Sequence, residues 1–139
     1  MVFLLDTNVI SELRKPTPHR GVDDWFAEAD PDDLFLSVLV LGELRQGVER
    51  LARRNRAQAA PLERWLQELL DSFHDRLVPI TARIADRWGR LNVPNPLPVI
   101  DGLLAATALE HDWTLVTRNV SDVASTGARL LDPWVLSNG

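Results

Sequence analysis

Four carboxylates in this chain stand where they can do chemistry together. Asp6 closes the apolar run Val2-Phe3-Leu4-Leu5 and is followed by Thr7 and Asn8. Glu43 lies in Gly42-Glu43-Leu44-Arg45-Gln46-Gly47, and Asp101 in Val99-Ile100-Asp101-Gly102-Leu103-Leu104-Ala105-Ala106. Asp122 ends Thr117-Arg118-Asn119-Val120-Ser121-Asp122. Singly, each has an ordinary explanation: a cap for Asp6, a solvated helix face for Glu43, a first-turn acid for Asp101, a loop residue for Asp122. Brought to one place they repel, and each raises the pKa of the others. A hard divalent cation, Mg²⁺ or Mn²⁺, resolves that conflict, because it prefers oxygen ligands and keeps several waters. Such an ion orients water and stabilises charge on a transferring phosphate, which is the chemistry of phosphodiester hydrolysis. Thr7, Asn8, Thr117 and Asn119 are placed to support the acids as hydrogen-bonding neighbours.

The elements that must position these acids follow from the pattern. Val2 to Leu5 is apolar on both faces and reads as a strand buried in a parallel sheet, with Asp6 just past its carboxyl end. A short helix is predicted over Asn8–Arg14, ended by Pro16 and Pro18, and another over Gly21–Ala29. Leu34–Val38 is a second strand, and the helix after it, to about Arg54, carries Glu43 beside its apolar stripe. Gly42 and Gly47 weaken that helix, so something is expected to pack close to them. A helix over Ala57–Phe73 precedes a third strand, Leu77–Ile80, which Pro79 assigns to an edge. Thr81 caps the next helix, and Pro98 opens the wholly apolar one that starts beside Asp101 and runs to about Glu110. Thr114–Thr117 is a fourth strand, Arg118–Gly127 a polar loop, and Arg129–Leu131 a last short strand. Alternating strands and helices give a three-layer α/β/α sandwich with a mainly parallel sheet of four to five strands. If the first strand is central, Asp6 and Asp122 flank a topological switch point.

Composition bounds the rest. The chain reads as one domain over residues 1–139, with 45% hydrophobic and 25% charged residues, as in globular proteins. It has no cysteine, which excludes disulfides, thiolate metal sites and a cysteine nucleophile. No stretch of about 18 apolar residues suggests a membrane span, and no signal peptide is evident, so a cytoplasmic protein is expected. The net charge of −5 argues against general affinity for nucleic acid, unless several acids are gathered around a metal.

With these residues in view, the chain resembles the PIN-domain nucleases, and more narrowly the VapC-type toxins of bacterial toxin–antitoxin pairs. Leu4 to Glu12, Gly42 to Gly47, Asp101 to Ala108 and Leu115 to Asp122 carry the resemblance, in order and over nearly the whole chain, residues 2 to about 132. It implies an Mg²⁺- or Mn²⁺-dependent endoribonuclease, dimeric and silenced by a cognate VapB-like antitoxin. It further implies that the antitoxin inserts an arginine into the acidic site. Asp6, Glu43, Asp101 and Asp122 match the family's acidic metal-binding positions, and Thr117 its small polar residue after the fourth strand. In some members the position of Asn119 is itself acidic, which leaves open whether Asp122 alone completes the set.

Other readings are less well served. A haloacid-dehalogenase-like phosphatase would use Asp6 as nucleophile, but Asn8 stands where its second aspartate belongs, and the late lysine is missing, Lys15 being the chain's only one. A non-catalytic acidic module that binds metal or a partner, like a receiver domain, also needs that lysine. Arg14, Lys15 and Arg118 fall nearest the acids and are candidates for RNA phosphate contacts, with Arg45 a further one on the Glu43 helix. His19, His74 and His111 share no ligand spacing, and the five tryptophans fall mostly on apolar stripes.

Overall fold

A computed structural model describes residues 1–135. The first strand, β1 (Phe3–Leu5), pairs on one side with β2 (Leu34–Ser37) and on the other with β4 (Thr114–Val116). Beyond β2 lies β3 (Leu77–Val78), and beyond β4 lies β5 (Arg129–Leu131), giving the order β3-β2-β1-β4-β5 with every pairing parallel. Leu4, Leu5, Leu115 and Val116 are at most 1% exposed, so the central strands are covered on both faces. Helices supply that cover, as parallel sheets require. The expected three-layer sandwich is the one observed, and β3 is an edge strand as Pro79 demanded.

The helices are α1 (Thr7–Arg14), α2 (Arg20–Glu28), α3 (Val38–Arg54), α4 (Arg56–Phe73), α5 (Ala82–Leu91), α6 (Val99–His111) and α7 (Val120–Val123). Side chains start several of them. Asp6 accepts from the Thr7 backbone N–H, Ser37 from Leu39, Asn55 from Gln58 and Thr81 from Ile84. The short α7, with a 3₁₀ turn at Ala124–Thr126, lies within the stretch read as a polar loop. Four residues anchored by buried Val123 are too few to show a helical period.

Two helix pairs pack tightly, α3 with α4 and α5 with α6. In α6, Gly102 and Leu104 through Ala108 are buried, while Asp101 remains half-exposed in the first turn. Gly102 is required there by close approach. A Cβ would meet Leu97 at 3.2 Å and Trp88 at 3.3 Å, so this glycine lets α5 and the proline-rich loop seat the end of α6 that carries Asp101. At Gly42 and Gly47 the expectation fails, since a Cβ at either meets nothing within 4 Å. Those glycines face open space.

The chain runs from β1 outward to β2 and β3, then crosses back to β4 and β5, so the switch point falls between β1 and β4. The backbone bond from Asp6 N–H to the Val116 carbonyl, 3.0 Å, closes the two strand ends beside each other. Ligand crevices in open α/β sheets form at this point.

Candidate active site

A cleft of about 590 Å³ opens over the carboxyl ends of β1 and β4. Asp6, Thr7, Asn8 and Ser11 line it from β1 and α1, Glu43 from α3, Pro98 to Asp101 from α6, and Asn119 from the turn after β4. Residues up to 113 positions apart are therefore gathered by the crossover, and three of the four predicted acids share one cavity. Asp122, exposed on α7, is absent from the lining but faces Asp101 closely enough for its charge to act there.

Asp6 is the best anchored. Its Oδ1 accepts from Thr7 N–H at 2.6 Å, and its Oδ2 accepts from the Thr117 hydroxyl at 2.6 Å. Thr117 Oγ1 in turn accepts from Asn119 N–H at 3.0 Å, so one buried hydroxyl joins Asp6 to the turn. Burial pushes Asp6 up to about 6 despite those two bonds, and the charges of Asp101 and Glu43 add to the rise. Asp101 is raised as well, first by burial and then by Asp122 and Glu43, while the Asn119 side chain holds it down in part. Glu43 accepts from the Thr7 hydroxyl at 2.5 Å, across 36 positions of sequence. The hydrogen-bonding roles expected of Thr7, Thr117 and Asn119 are thus seen, whereas Asn8 Oδ1 is buried with no partner.

The donor set fits a hard cation. It offers carboxylates that repel, an unpartnered amide oxygen, and no lysine or arginine among the cleft-lining residues. Among the described residues no three acid or histidine side chains close round one point as a ready-made cage. An ion held there would complete its shell with water, as Mg²⁺ commonly does. Of the four acids matched to the family's metal-binding positions, Asp122 stands apart from the cleft lining.

The candidate cations divide. Arg45 is held by Glu63 of α4 in a two-pronged pair at 2.7 and 2.9 Å, and Glu49 lies 3.5 Å away, so it ties α3 to α4 and is not a free phosphate contact. Lys15 bonds Glu12 at 2.9 Å. Arg14 lies over the Trp65 ring at 5.7 Å, beside an apolar pocket. Arg118 is exposed over Trp134 at 5.3 Å. Ser11 was overlooked in the sequence, although it lies one helical turn from Thr7 and so on the same face of α1. Of the histidines, His19 caps α2 by accepting from Gly21 N–H, and His111 stacks on Trp113.

Comparison with known proteins agrees with this geometry. The family model described as PIN domain matches residues 3–121. Toxin FitB of Neisseria gonorrhoeae is 30% identical over 96% of this chain and 99% of its own length. The VapC ribonuclease Y4jK of Sinorhizobium fredii is 30% identical over 96% of this chain and 98% of its own. The crystal structure of FitAcB from N. gonorrhoeae superposes with a TM-score of 0.87 at 31% identity, covering 97% of this chain and 100% of that one. Matched by that family model over most of its length, with the crossover and cleft described above, this chain belongs to the PIN domain family.

Proposed function

We propose that the cleft hydrolyses RNA phosphodiester bonds with the help of Mg²⁺ or Mn²⁺, and that the chain is the toxin of a toxin–antitoxin pair. The observation that carries the reading is the set of mutually repelling carboxylates at the switch point, two of them pushed upward and, among the described residues, none with a cationic partner. A relative named as a VapC ribonuclease, and a similar solved chain in a toxin–antitoxin complex from Klebsiella pneumoniae, support the substrate and the partner.

Asp6, Asp101 and Glu43 would hold the ion, with Asp122 adding negative charge behind Asp101. When bound, the ion supplies Lewis-acid polarisation of a phosphoryl oxygen and a water of lowered pKa. The protein's own contribution is positional. Thr117 and Thr7 fix both Asp6 oxygens, Thr7 also fixes Glu43, and Asn119 restrains Asp101. Because Asp6 gains its proton near pH 6, proton and cation compete for it below that value. The open rim is wide enough for a phosphodiester to approach the acids. A VapB-like antitoxin that presents an arginine to the same acids would silence them by filling the cation's place.

The test is incubation of purified protein with total RNA. Cleavage with Mg²⁺ or Mn²⁺ that both EDTA and Asp6→Asn abolish is the expected result. Phosphate release from small phosphoesters without RNA cleavage would overturn it.

A further inference from the structure

The cleft poses an electrostatic problem that its acids cannot solve. One divalent ion leaves four carboxylates net negative, and the whole chain carries −5, yet the substrate proposed above is a polyanion. A cation must meet the RNA at the mouth, and several of the arginines are already committed. Arg45 pairs with Glu63, Arg83 and Arg87 with Glu110, Arg90 with Asp86 and Arg129 with Asp112. Arg76 donates to the carbonyls of Leu34 and Ser72. Arg53 and Arg54 stand roughly 15 Å along α3 from Glu43 by helical rise.

Arg118 differs on each count. Among the described residues no carboxylate lies within ion-pair distance of it, and it is exposed. It stands between Thr117, whose hydroxyl holds Asp6, and Asn119, which lines the cleft. Its guanidinium rests 5.3 Å from the centre of the Trp134 ring. Trp134 is set by a turn after β5, in which its N–H donates to Asp132 at 2.9 Å, and the His19 ring lies 6.4 Å from it. A guanidinium held over an indole by cation–π attraction gives up little further freedom on binding, and its N–H groups can still reach phosphate oxygens.

We propose that Arg118, held over Trp134 at the rim of the acidic cleft, binds an RNA backbone phosphate beside the one being cleaved, with Trp134 as its positioning residue. The inference rests on the nuclease reading and adds where the substrate's backbone runs: over the β4–β5 side of the cleft. RNA follows from the site: among the described residues Arg118 adjoins the cleft-lining Asn119 with no carboxylate partner and lies over an aromatic ring. Single-stranded nucleic-acid sites use cation–aromatic pairings of this kind.

The test uses a short fluorescein-labelled single-stranded RNA of mixed sequence, bound to the full chain in EDTA, across a salt series. Arg118→Ala is expected to weaken binding about tenfold and to lower the slope of log affinity against log salt by about 0.7, one phosphate contact on a single strand. Arg118→Lys should restore the salt slope but not all the affinity, since the charge returns without the stacked plane. Trp134→Phe should hold most of the affinity that Trp134→Ala loses. In cleavage assays with Mn²⁺, Arg118→Ala should raise KM more than it lowers kcat, while Mn²⁺ affinity stays at the parent value. Arg118→Ala with the parent's affinity and slope overturns the proposal, as does a loss confined to binding of an antitoxin protein. Failure of the parent itself to bind or cleave RNA would sink the nuclease reading, and this inference with it.

Discussion

Acids on the two helix pairs and acids in the cleft meet opposite fates. Glu63 faces Arg45 across α3 and α4, and Glu110 faces Arg83 and Arg87 across α5 and α6. Hydrogen bonds from those arginines hold both carboxyls below the ordinary range. In the cleft, Asp6 and Asp101 are pushed up, chiefly by burial and further by neighbouring acids. The same chain, rich in arginine, pairs Glu63 and Glu110 across its helix contacts and places no arginine among the described residues lining the cleft where three acids meet. Under the proposed function, the balancing positive charge is a bound divalent ion.

Supplying that charge internally should break the contrast with the largest effect. Ser11→Arg puts a guanidinium on the wall of the cleft, where it competes with a divalent ion for the carboxylates. Cleavage is expected to fall by about 100-fold or more, given that a catalytic cation is worth several kcal/mol, as a rate assay against total RNA would show. Unchanged cleavage would mean the acids have no need of an external cation.

A smaller effect sharpens the same contrast in stability. Asp6 sits at about 6 in the folded chain against an ordinary value of 3.8, so the folded state holds its proton the more tightly. Stability of the metal-free protein should therefore fall as pH rises from about 4 through about 6. Asp6→Asn removes that ionisation and should stabilise the metal-free protein above pH 6 by about 1 kcal/mol, the advantage vanishing near pH 4. Urea titrations at the two pH values check it, and equal midpoints for parent and variant would contradict it. The least effect is expected of Glu63→Gln. This half-exposed partner of Arg45 should barely move the melting temperature and leave RNA cleavage untouched, because pairs near the surface contribute little.

Much of the site was legible because its signals are local. An apolar run ending in Asp6 specifies a buried strand with a carboxylate at its tip, and an all-apolar helix beginning at Asp101 specifies a buried element with one acid at its open end. The parallel sheet followed from the alternation of strands and helices, whereas the central place of β1, on which the switch point depends, is fixed by its pairings with β2 and β4. What stayed hidden depends on tertiary neighbours. Nothing in the spacing of α3 announces that Arg45 will be claimed by Glu63 eighteen positions later, or that Gly42 and Gly47 face open space while Gly102 is hemmed in. Helix α7 escaped because four residues cannot display a period. The shelf that Arg118 and Trp134 build joins two strand ends that only the sheet brings together.

Calorimetric titration of Mn²⁺ into the parent, Asp101→Asn and Glu110→Gln goes straight to the central claim, that these carboxylates converge to share a cation. Saturable binding by the parent and by Glu110→Gln, lost in Asp101→Asn, is the result the geometry requires. Binding that survives in Asp101→Asn, or none in the parent, would contradict it.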